Sequence, residues 1–327
     1  MSGDVRHVDV GAELFGSRPA CGGGLRLGLG TGPLGGLFAP VTDAEAAGTL
    51  ESAWQHGIRY FDTAPHYGAG LAEQRLGRFL AGRPRSEFAV STKVGRLLTP
   101  AADPDTAGFH GAPALARVPD YSADGVLRSL EASLARTGLD RVDLVLIHDP
   151  DDHWAQAAGE AFPVLARLRD EEVVKAVGIG MNQTAMLCRF VAETDVDLVM
   201  VAGRHTLLDT SAADELLPRC AEQGVAVLAA GVFNSGVLAD PRPGAHFDYE
   251  PADAATLRRA GRLEELCAAH GVPLAAAALQ FPARHPAVTG VVVGARSSDE
   301  VAANISHAAL DIPDAVWAAL DAERSAR

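Results

Sequence analysis

The sequence predicts an α/β protein in which eight strands and their helices close into a single-domain (β/α)8 TIM barrel. Short apolar runs alternate with helical patterns along the chain, and the run at 142–147 is typical of a strand covered on both faces. Eight such units within 327 residues favour a closed barrel over an open sheet. No change in composition marks a second domain.

The chain begins with a segment, 1–24, that predicts an irregular arm ending in three glycines. The barrel is therefore expected to span 25–327, with its first strand at 25–29. The glycine-rich loop after this strand lacks the GxGxxG spacing of a dinucleotide-binding Rossmann turn. The first helix, 42–56, is predicted from Thr42 and a glutamate three residues later, which form a capping box.

The same rhythm of strand and helix continues to the end of the chain. Further strands are predicted at 58–62, 88–93, 142–148, 174–180, 197–202, 226–230 and 290–293. Further helices are predicted at 71–80, 124–137, 155–170, 184–193, 212–223, 254–270, 274–281, 298–310 and 313–327. The connections 94–121 and 231–253 are long for α/β units, so we expect them to be substrate lids.

Charge and cysteine content narrow the functional class. The 28 basic and 42 acidic residues give a net charge of −14, which argues against nucleic acid or an anionic membrane as a partner. The four cysteines and the scattered histidines lack metal-ligand spacing, so we expect packed thiols and no metal. No signal peptide or membrane span is predicted, and the expected location is the cytoplasm.

Four ionisable side chains follow three consecutive predicted strands. Asp62 and Tyr67 come after the second strand, Lys93 ends the third and His148 ends the fourth. Each alone has an ordinary explanation as a turn cap, a rim residue or a solvated strand end. Because the carboxyl ends of barrel strands converge, their joint occurrence predicts an active site.

This set suits acid–base chemistry. A tyrosine pKa is ordinarily about 10, and a neighbouring ammonium favours the phenolate, so we expect Lys93 to lower the pKa of Tyr67. Asp62 is expected to hold Lys93 in place, and His148 to orient the reacting oxygen. The predicted reaction is interconversion of a carbonyl and an alcohol.

Three motifs carry a family resemblance. The segment 61–68 resembles the aldo-keto reductase signature, and 91–95 and 143–148 match the next two motifs of that family. The resemblance runs from about residue 29 to 310. Segments 202–209 and 231–236 make it closest to the bacterial sugar-dehydrogenase branch, which includes fucose/threo-aldose and pyridoxal dehydrogenases.

The resemblance implies a nicotinamide cofactor, NAD or NADP, bound extended at the carboxyl face. It assigns acid–base catalysis to Tyr67, tuning of that group to Lys93 and Asp62, and orientation to His148. The cofactor supplies the hydride. The residues expected to contact the cofactor are Asn182, His205, Gly231, Phe233, Ser235, Gly294, Arg296, Glu300 and Asn304.

Two positions depart from the family pattern. Gly180 and Met181 stand where many members hold the nicotinamide carboxamide with Ser-Asn, so Asn182 is the candidate for that role. The aromatic ring that usually stacks on the nicotinamide is replaced near Arg204, which makes His205 the candidate.

Glu300 favours NAD over NADP. A carboxylate would repel a 2′-phosphate and accept hydrogen bonds from a free ribose. The alternative is that Glu300 only completes a capping box with Ser297, which would leave Arg296 as a phosphate partner.

Substrate contacts are expected from His66, from the long loops and from Trp154, although Trp154 is equally explained as a packing residue. The sequence therefore predicts an NAD(P)-dependent oxidoreductase that oxidises an aldose at its anomeric carbon. The alternatives are an NADPH-dependent aldehyde or ketone reductase, a pyridoxal dehydrogenase and a non-enzymatic cofactor-sensing subunit. The small-molecule substrate and the oligomeric state are not predicted further.

Overall fold

The computed structural model describes residues 9–16 and 24–325 and confirms the predicted barrel. Eight parallel strands pair in sequence order, and the first pairs with the last to close the sheet. Leu29 of the first strand lies opposite Val293 on one side and Phe61 on the other. The strands are β1 Leu27–Gly30, β2 Tyr60–Asp62, β3 Ala89–Val94, β4 Leu144–His148, β5 Ala176–Met181, β6 Leu198–Ala202, β7 Ala226–Ala230 and β8 Val288–Gly294.

Helices surround this sheet, and their bounds follow the predicted ones closely. Thr42 and Glu45 form the predicted capping box at the start of the second helix. The helices are α1 Val10–Phe15, α2 Asp43–Gln55, α3 Leu71–Leu80, α4 Ala123–Thr137, α5 Phe162–Asp170, α6 Thr184–Glu193, α7 Leu216–Gln223, α8 Ala254–Ala268, α9 Leu274–Gln280, α10 Ser298–Ala309 and α11 Asp314–Ser325. Within the predicted helix 155–170, a π-helical turn at Ala157–Ala161 precedes α5.

The prediction of an irregular arm was wrong for α1, while 1–8 and 17–23 lie outside the described residues. Phe15 makes an edge contact with Tyr60, at 5.3 Å between ring centroids. A Cβ at Gly290 would lie 2.4 Å from the Phe15 ring. Tyr60 and Gly290 belong to the amino-terminal halves of β2 and β8, so α1 covers the end of the barrel opposite the strand carboxyl ends. Burial of Val10 and Leu14 fixes it there.

Both long connections contain secondary structure. Residues 94–121 contain an antiparallel hairpin, Arg96–Pro100 with Leu115–Pro119, which we call the first hairpin. Residues 231–253 contain a two-residue pairing of His246–Phe247 with Glu250–Pro251. The first hairpin begins at Gly95, whose φ of +101° and contact with the Tyr121 ring exclude a side chain.

The core lies both inside the barrel and between the barrel and its helices. Tyr60, Leu146, Met200 and Leu228 belong to an inner cluster. Cys188, Cys220 and Cys267 are buried free thiols, as predicted, and Cys21 lies outside the described residues. Within residues 9–16 and 24–325, no helix is long and apolar enough to cross a membrane.

Candidate active site

A buried lysine links an aspartate and a tyrosine at the carboxyl end of the barrel. The Lys93 ammonium donates to Asp62 Oδ2 at 2.6 Å, to the Tyr67 hydroxyl oxygen at 3.0 Å and to the Thr63 carbonyl at 3.2 Å. Both charged side chains are almost fully buried. Since the Tyr67 oxygen accepts from Lys93, its own proton is free to point away from the pair.

Strand pairing and a tight turn bring these groups together. Asp62 ends β2 opposite Ser91 of β3, and the Ser91 hydroxyl donates to Asp62 Oδ1 at 2.7 Å. Tyr67 lies on the following turn, where a Cβ at Gly68 would approach the Gly35 carbonyl oxygen to 2.4 Å. This close backbone approach, with a φ of +60° at Gly68, requires glycine and fixes the position of the phenol.

Two histidines and a phenylalanine surround Tyr67. The His148 ring lies edge-on to it at a centroid distance of 6.0 Å, and His66 is 5.6 Å from His148. Phe109 packs 5.4 Å from His66 and 6.3 Å from Tyr67. The structure therefore brings together the four candidate catalytic residues and also His66, one of the two candidate substrate contacts.

The expected lowering of the Tyr67 pKa is not found. Burial raises the pKa of Tyr67 well above its ordinary value, and the Asp62 carboxylate raises it further. Lys93 was expected to favour the phenolate through its positive charge, but the negative charge of Asp62 in the same ion pair offsets that effect. Burial and the Lys93 cation lower the pKa of His148, and burial lowers the pKa of His66 to about 3. Tyr67 is thus a protonated phenol beside two neutral imidazoles at neutral pH.

The loop after β7 holds three of the residues predicted to contact the cofactor. Gly231 has a φ of +62°, and a Cβ there would lie 3.0 Å from the Gly203 nitrogen. The Ser235 hydroxyl accepts from the Tyr249 backbone nitrogen at 3.0 Å, and Phe233 packs against the apolar cluster beside α8. Asn234 is buried, and its Oδ1 has no hydrogen-bond partner within the described part of the chain. An unpaired buried acceptor fits a ligand that brings a donor.

At the start of α10, Arg296 and Glu300 bind each other. Glu300 accepts from the Arg296 backbone nitrogen at 2.8 Å and from its guanidinium at 3.0 and 3.2 Å. Ser297 caps the helix by accepting from the Glu300 nitrogen, but the reciprocal bond goes to Arg296, so the predicted capping box is incomplete. These groups and the helix N-terminus fit the phosphate and ribose end of a dinucleotide.

The other four residues predicted to contact the cofactor each have a different environment. A Cβ at Gly294 would meet the Pro33 ring at 2.7 Å, which explains that glycine by packing. Asn304 donates weakly to the Gly294 carbonyl at 3.5 Å. His205 packs on Phe281 at 5.2 Å between centroids, and Asn182 is half-buried just after β5. None of these contacts tests a role toward the nicotinamide.

The structure favours the packing alternative for Trp154. Its ring lies 4.6 Å from that of Phe190, and the Arg189 guanidinium covers it at 3.8 Å. Both partners belong to α6. The substrate role is therefore not supported, because the indole is engaged between helical elements.

Sequence reasoning missed three polar or aromatic residues beside the candidate catalytic groups. Asp149 follows His148, and Arg96 follows the glycine that opens the first hairpin; the two form an ion pair at 3.0 Å. Phe109 belongs to the long connection 94–121, for which the sequence predicted no element. Of the three, only Asp149 could have been found from the sequence, because it directly follows His148.

A closed parallel barrel with a buried Asp–Lys pair against a tyrosine is typical of a barrel oxidoreductase. The chain belongs to the aldo/keto reductase family, whose sequence model matches residues 26–324. It is an NAD(P)-dependent oxidoreductase, since nicotinamide cofactors serve this family.

Individual relatives refine this placement. The chain is 46% identical to the D-threo-aldose 1-dehydrogenase of a Pseudomonas species, covering 90% of this chain and 92% of that protein. It is 42% identical to the pyridoxal 4-dehydrogenase of Microbacterium luteolum, covering 91% and 93%. The holo structure of an aldo-keto reductase from Bacillus halodurans shares the fold, with a TM-score of 0.73, 24% identity and coverage of 94% and 95%. The predicted branch of the family is confirmed.

Proposed function

We propose that this protein is an NAD-dependent dehydrogenase that oxidises an aldose at its anomeric carbon. The observation that carries the reaction chemistry is the Lys93 ammonium, which contacts both Asp62 and the Tyr67 hydroxyl oxygen. The substrate class rests on the relative that is 46% identical and on the polar groups of His66, Arg96 and Asp149 beside the site.

Each of the four candidate catalytic residues has its own role in the proposed reaction. A nicotinamide held by the loop after β7 and the start of α10 would supply the hydride acceptor for the anomeric carbon. Tyr67, as the phenolate that Lys93 stabilises, takes the hydroxyl proton and becomes the neutral phenol. Neutral His148 donates a hydrogen bond to the substrate oxygen and orients it. Asp62 acts through Lys93, since its carboxylate fixes the ammonium.

The raised pKa of Tyr67 also favours the reverse reaction. A protonated phenol is ready to donate to a carbonyl oxygen as hydride arrives, so reduction of an aldehyde or ketone is the second candidate. In oxidation the same raised pKa requires loss of the proton first. We therefore expect the oxidation rate to rise with pH across the alkaline range.

Initial rates on a substrate panel test the proposal. Purified protein is given NAD⁺ with D- and L-aldoses, pyridoxal or simple primary alcohols, and NADH with the corresponding aldehydes. We expect the highest kcat/KM with an aldose. Preference for pyridoxal would replace the proposed substrate, and activity confined to reduction would support the second candidate.

The proposed preference for NAD rests on the ion pair at the start of α10. Glu300 accepts from Nε and Nη2 of the Arg296 guanidinium, so a 2′-phosphate would have to compete with this carboxylate for Arg296. The pair is also partly exposed and close to neutral overall, so it offers no excess positive charge to a phosphate.

Substitution of Glu300 by Gln is expected to release Arg296. Binding of NADPH should tighten about tenfold relative to NADH, since one freed charge-assisted contact is worth roughly 1.4 kcal/mol or more. Fluorescence titration of both cofactors measures the ratio. Asp299→Gln, which changes an exposed neighbouring carboxylate on the same helix, is the control and should leave the ratio nearly unchanged. Tighter binding of NADPH than NADH by the unmodified protein would contradict the proposal.

A further inference from the structure

Asp149 adopts a backbone conformation that is unfavourable for a residue with a side chain. Its φ is +41°, in the left-handed region. The Tyr121 hydroxyl contacts the carbonyl oxygens of His148 and Asp149 at 2.7 and 2.6 Å, and the Asp149 nitrogen donates to the Gly180 carbonyl at 3.1 Å. The surrounding structure thus holds Asp149 in place on both sides. Strain of this kind is common at functional sites.

The strained backbone directs the carboxylate to the catalytic histidine. Asp149 Oδ2 lies 3.4 Å from His148 Nε2 and 3.0 Å from Arg96 Nη2. Its other oxygen, Oδ1, has no hydrogen-bond donor within the described residues, and the side chain is 32% exposed. The Arg96 Nε is buried and has no partner in the same part of the chain. The pair therefore keeps one acceptor, Asp149 Oδ1, and one donor, Arg96 Nε, without hydrogen-bond partners in the described residues next to His148.

Fold stability does not explain this arrangement. A partly exposed ion pair contributes little to the stability of the fold, and the left-handed backbone conformation of Asp149 lowers that stability. Partial burial also raises the pKa of Asp149, so the carboxylate loses part of its solvation at this position. A group kept there at a cost is expected to have a partner that arrives with the substrate.

We propose that Asp149 and Arg96 form a clamp for vicinal hydroxyl groups, which binds the hydroxyl on the carbon next to the reacting carbon. This inference rests on the proposed aldose oxidation. A hydroxyl both donates and accepts, so it satisfies a carboxylate oxygen and a guanidinium nitrogen together. His148 holds the reacting oxygen, and oxygens on adjacent carbons lie within hydrogen-bond spacing, which places the second hydroxyl at Asp149. A simple alcohol cannot use the clamp.

Kinetics on matched substrates test the clamp. The intact enzyme, Asp149→Asn and the control Asp152→Asn, an exposed carboxylate of the same loop, are each given NAD⁺ with an accepted aldose and with its 2-deoxy counterpart. Asp149→Asn should lower kcat/KM for the aldose about 30-fold, since a charge-assisted hydrogen bond is lost, and should change the value for the 2-deoxy sugar less than about threefold. The control should change neither value by more than about twofold.

Each other outcome has a definite meaning. Equal losses on both sugars would show that Asp149 acts on His148 instead of on the substrate, and no loss on either would also overturn the clamp. Absence of aldose oxidation by the intact enzyme would overturn the proposed function and the clamp together. If thermal melting shows that Asp149→Asn does not fold, Arg96→Gln tests the other half of the pair and should reduce the same ratio of kcat/KM values.

Discussion

Replacement of Tyr67 by Phe is expected to lower kcat about 10³-fold in both reaction directions. The variant removes the hydroxyl group that contacts Lys93, and acid–base catalysis by one side chain typically contributes 10²–10⁴-fold. The ring and its packing remain, so NADH affinity should change less than about twofold. Steady-state rates and fluorescence titration measure the two quantities separately.

Tyr249→Phe is the matched control for this prediction. Tyr249 is another phenol of the long loop after β7, is 58% exposed and lies 6.3 Å from the Phe38 ring. Loss of its hydroxyl should leave kcat within about threefold. If Tyr67→Phe retains more than a tenth of the activity while Tyr249→Phe loses it, the acid–base group has been assigned to the wrong tyrosine.

The barrel was predictable because each strand is a local signal. Continuous apolar runs such as Leu144–His148 need no distant partner to be recognised, and capping residues such as Thr42 set the ends of helices. The helix Val10–Phe15 was missed because six residues show less than two turns of periodicity and Gly16 follows the segment directly. Its stability comes from packing under the barrel, which the sequence does not display.

The site was predictable to the extent that it depends on strand ends. Asp62, Lys93 and His148 follow from the rule that strand carboxyl ends converge, and Tyr67 follows from its motif. The pKa of Tyr67 depends on how deeply the phenol is buried and on the sum of several charges, so the local expectation had the wrong sign. Arg96 reaches the site through a hairpin whose paired residues are separated by fourteen or more intervening positions, a contact that local patterns do not specify.

The geometry of the site explains why position 93 is a lysine and not an arginine. The chain contains only two lysines, Lys93 and Lys175, among 28 basic residues. An ammonium is a compact point charge with three donors, and Lys93 uses them on Asp62, Thr63 and Tyr67. A planar guanidinium would not place three donors in these directions. Lys175, by contrast, lies half-exposed in contact with Glu13.

Substitution of Lys93 by Met is expected to reduce both stability and activity. It leaves the Asp62 carboxylate buried without its cation, and removal of one partner of a buried pair costs about 3–5 kcal/mol. For a chain of this length, that loss corresponds to a decrease in Tm of roughly 5 °C. Lys175→Met makes the same chemical change at a half-exposed lysine, whose buried partner Asp143 keeps its ion pair with Arg85, and should cost under about 1 kcal/mol. Chemical denaturation measures both free energies of unfolding.

The double variant Asp62→Asn with Lys93→Met separates the two roles of the pair. With neither charge present, no buried charge is left uncompensated, so most of the lost stability should return. Activity should not return, because the Tyr67 hydroxyl oxygen still lacks its ammonium donor and the phenolate is no longer stabilised. Recovery of kcat together with Tm would mean that Lys93 serves only the fold. A stable but inactive protein would show that a buried ion pair with little net benefit to stability is retained for proton transfer at Tyr67.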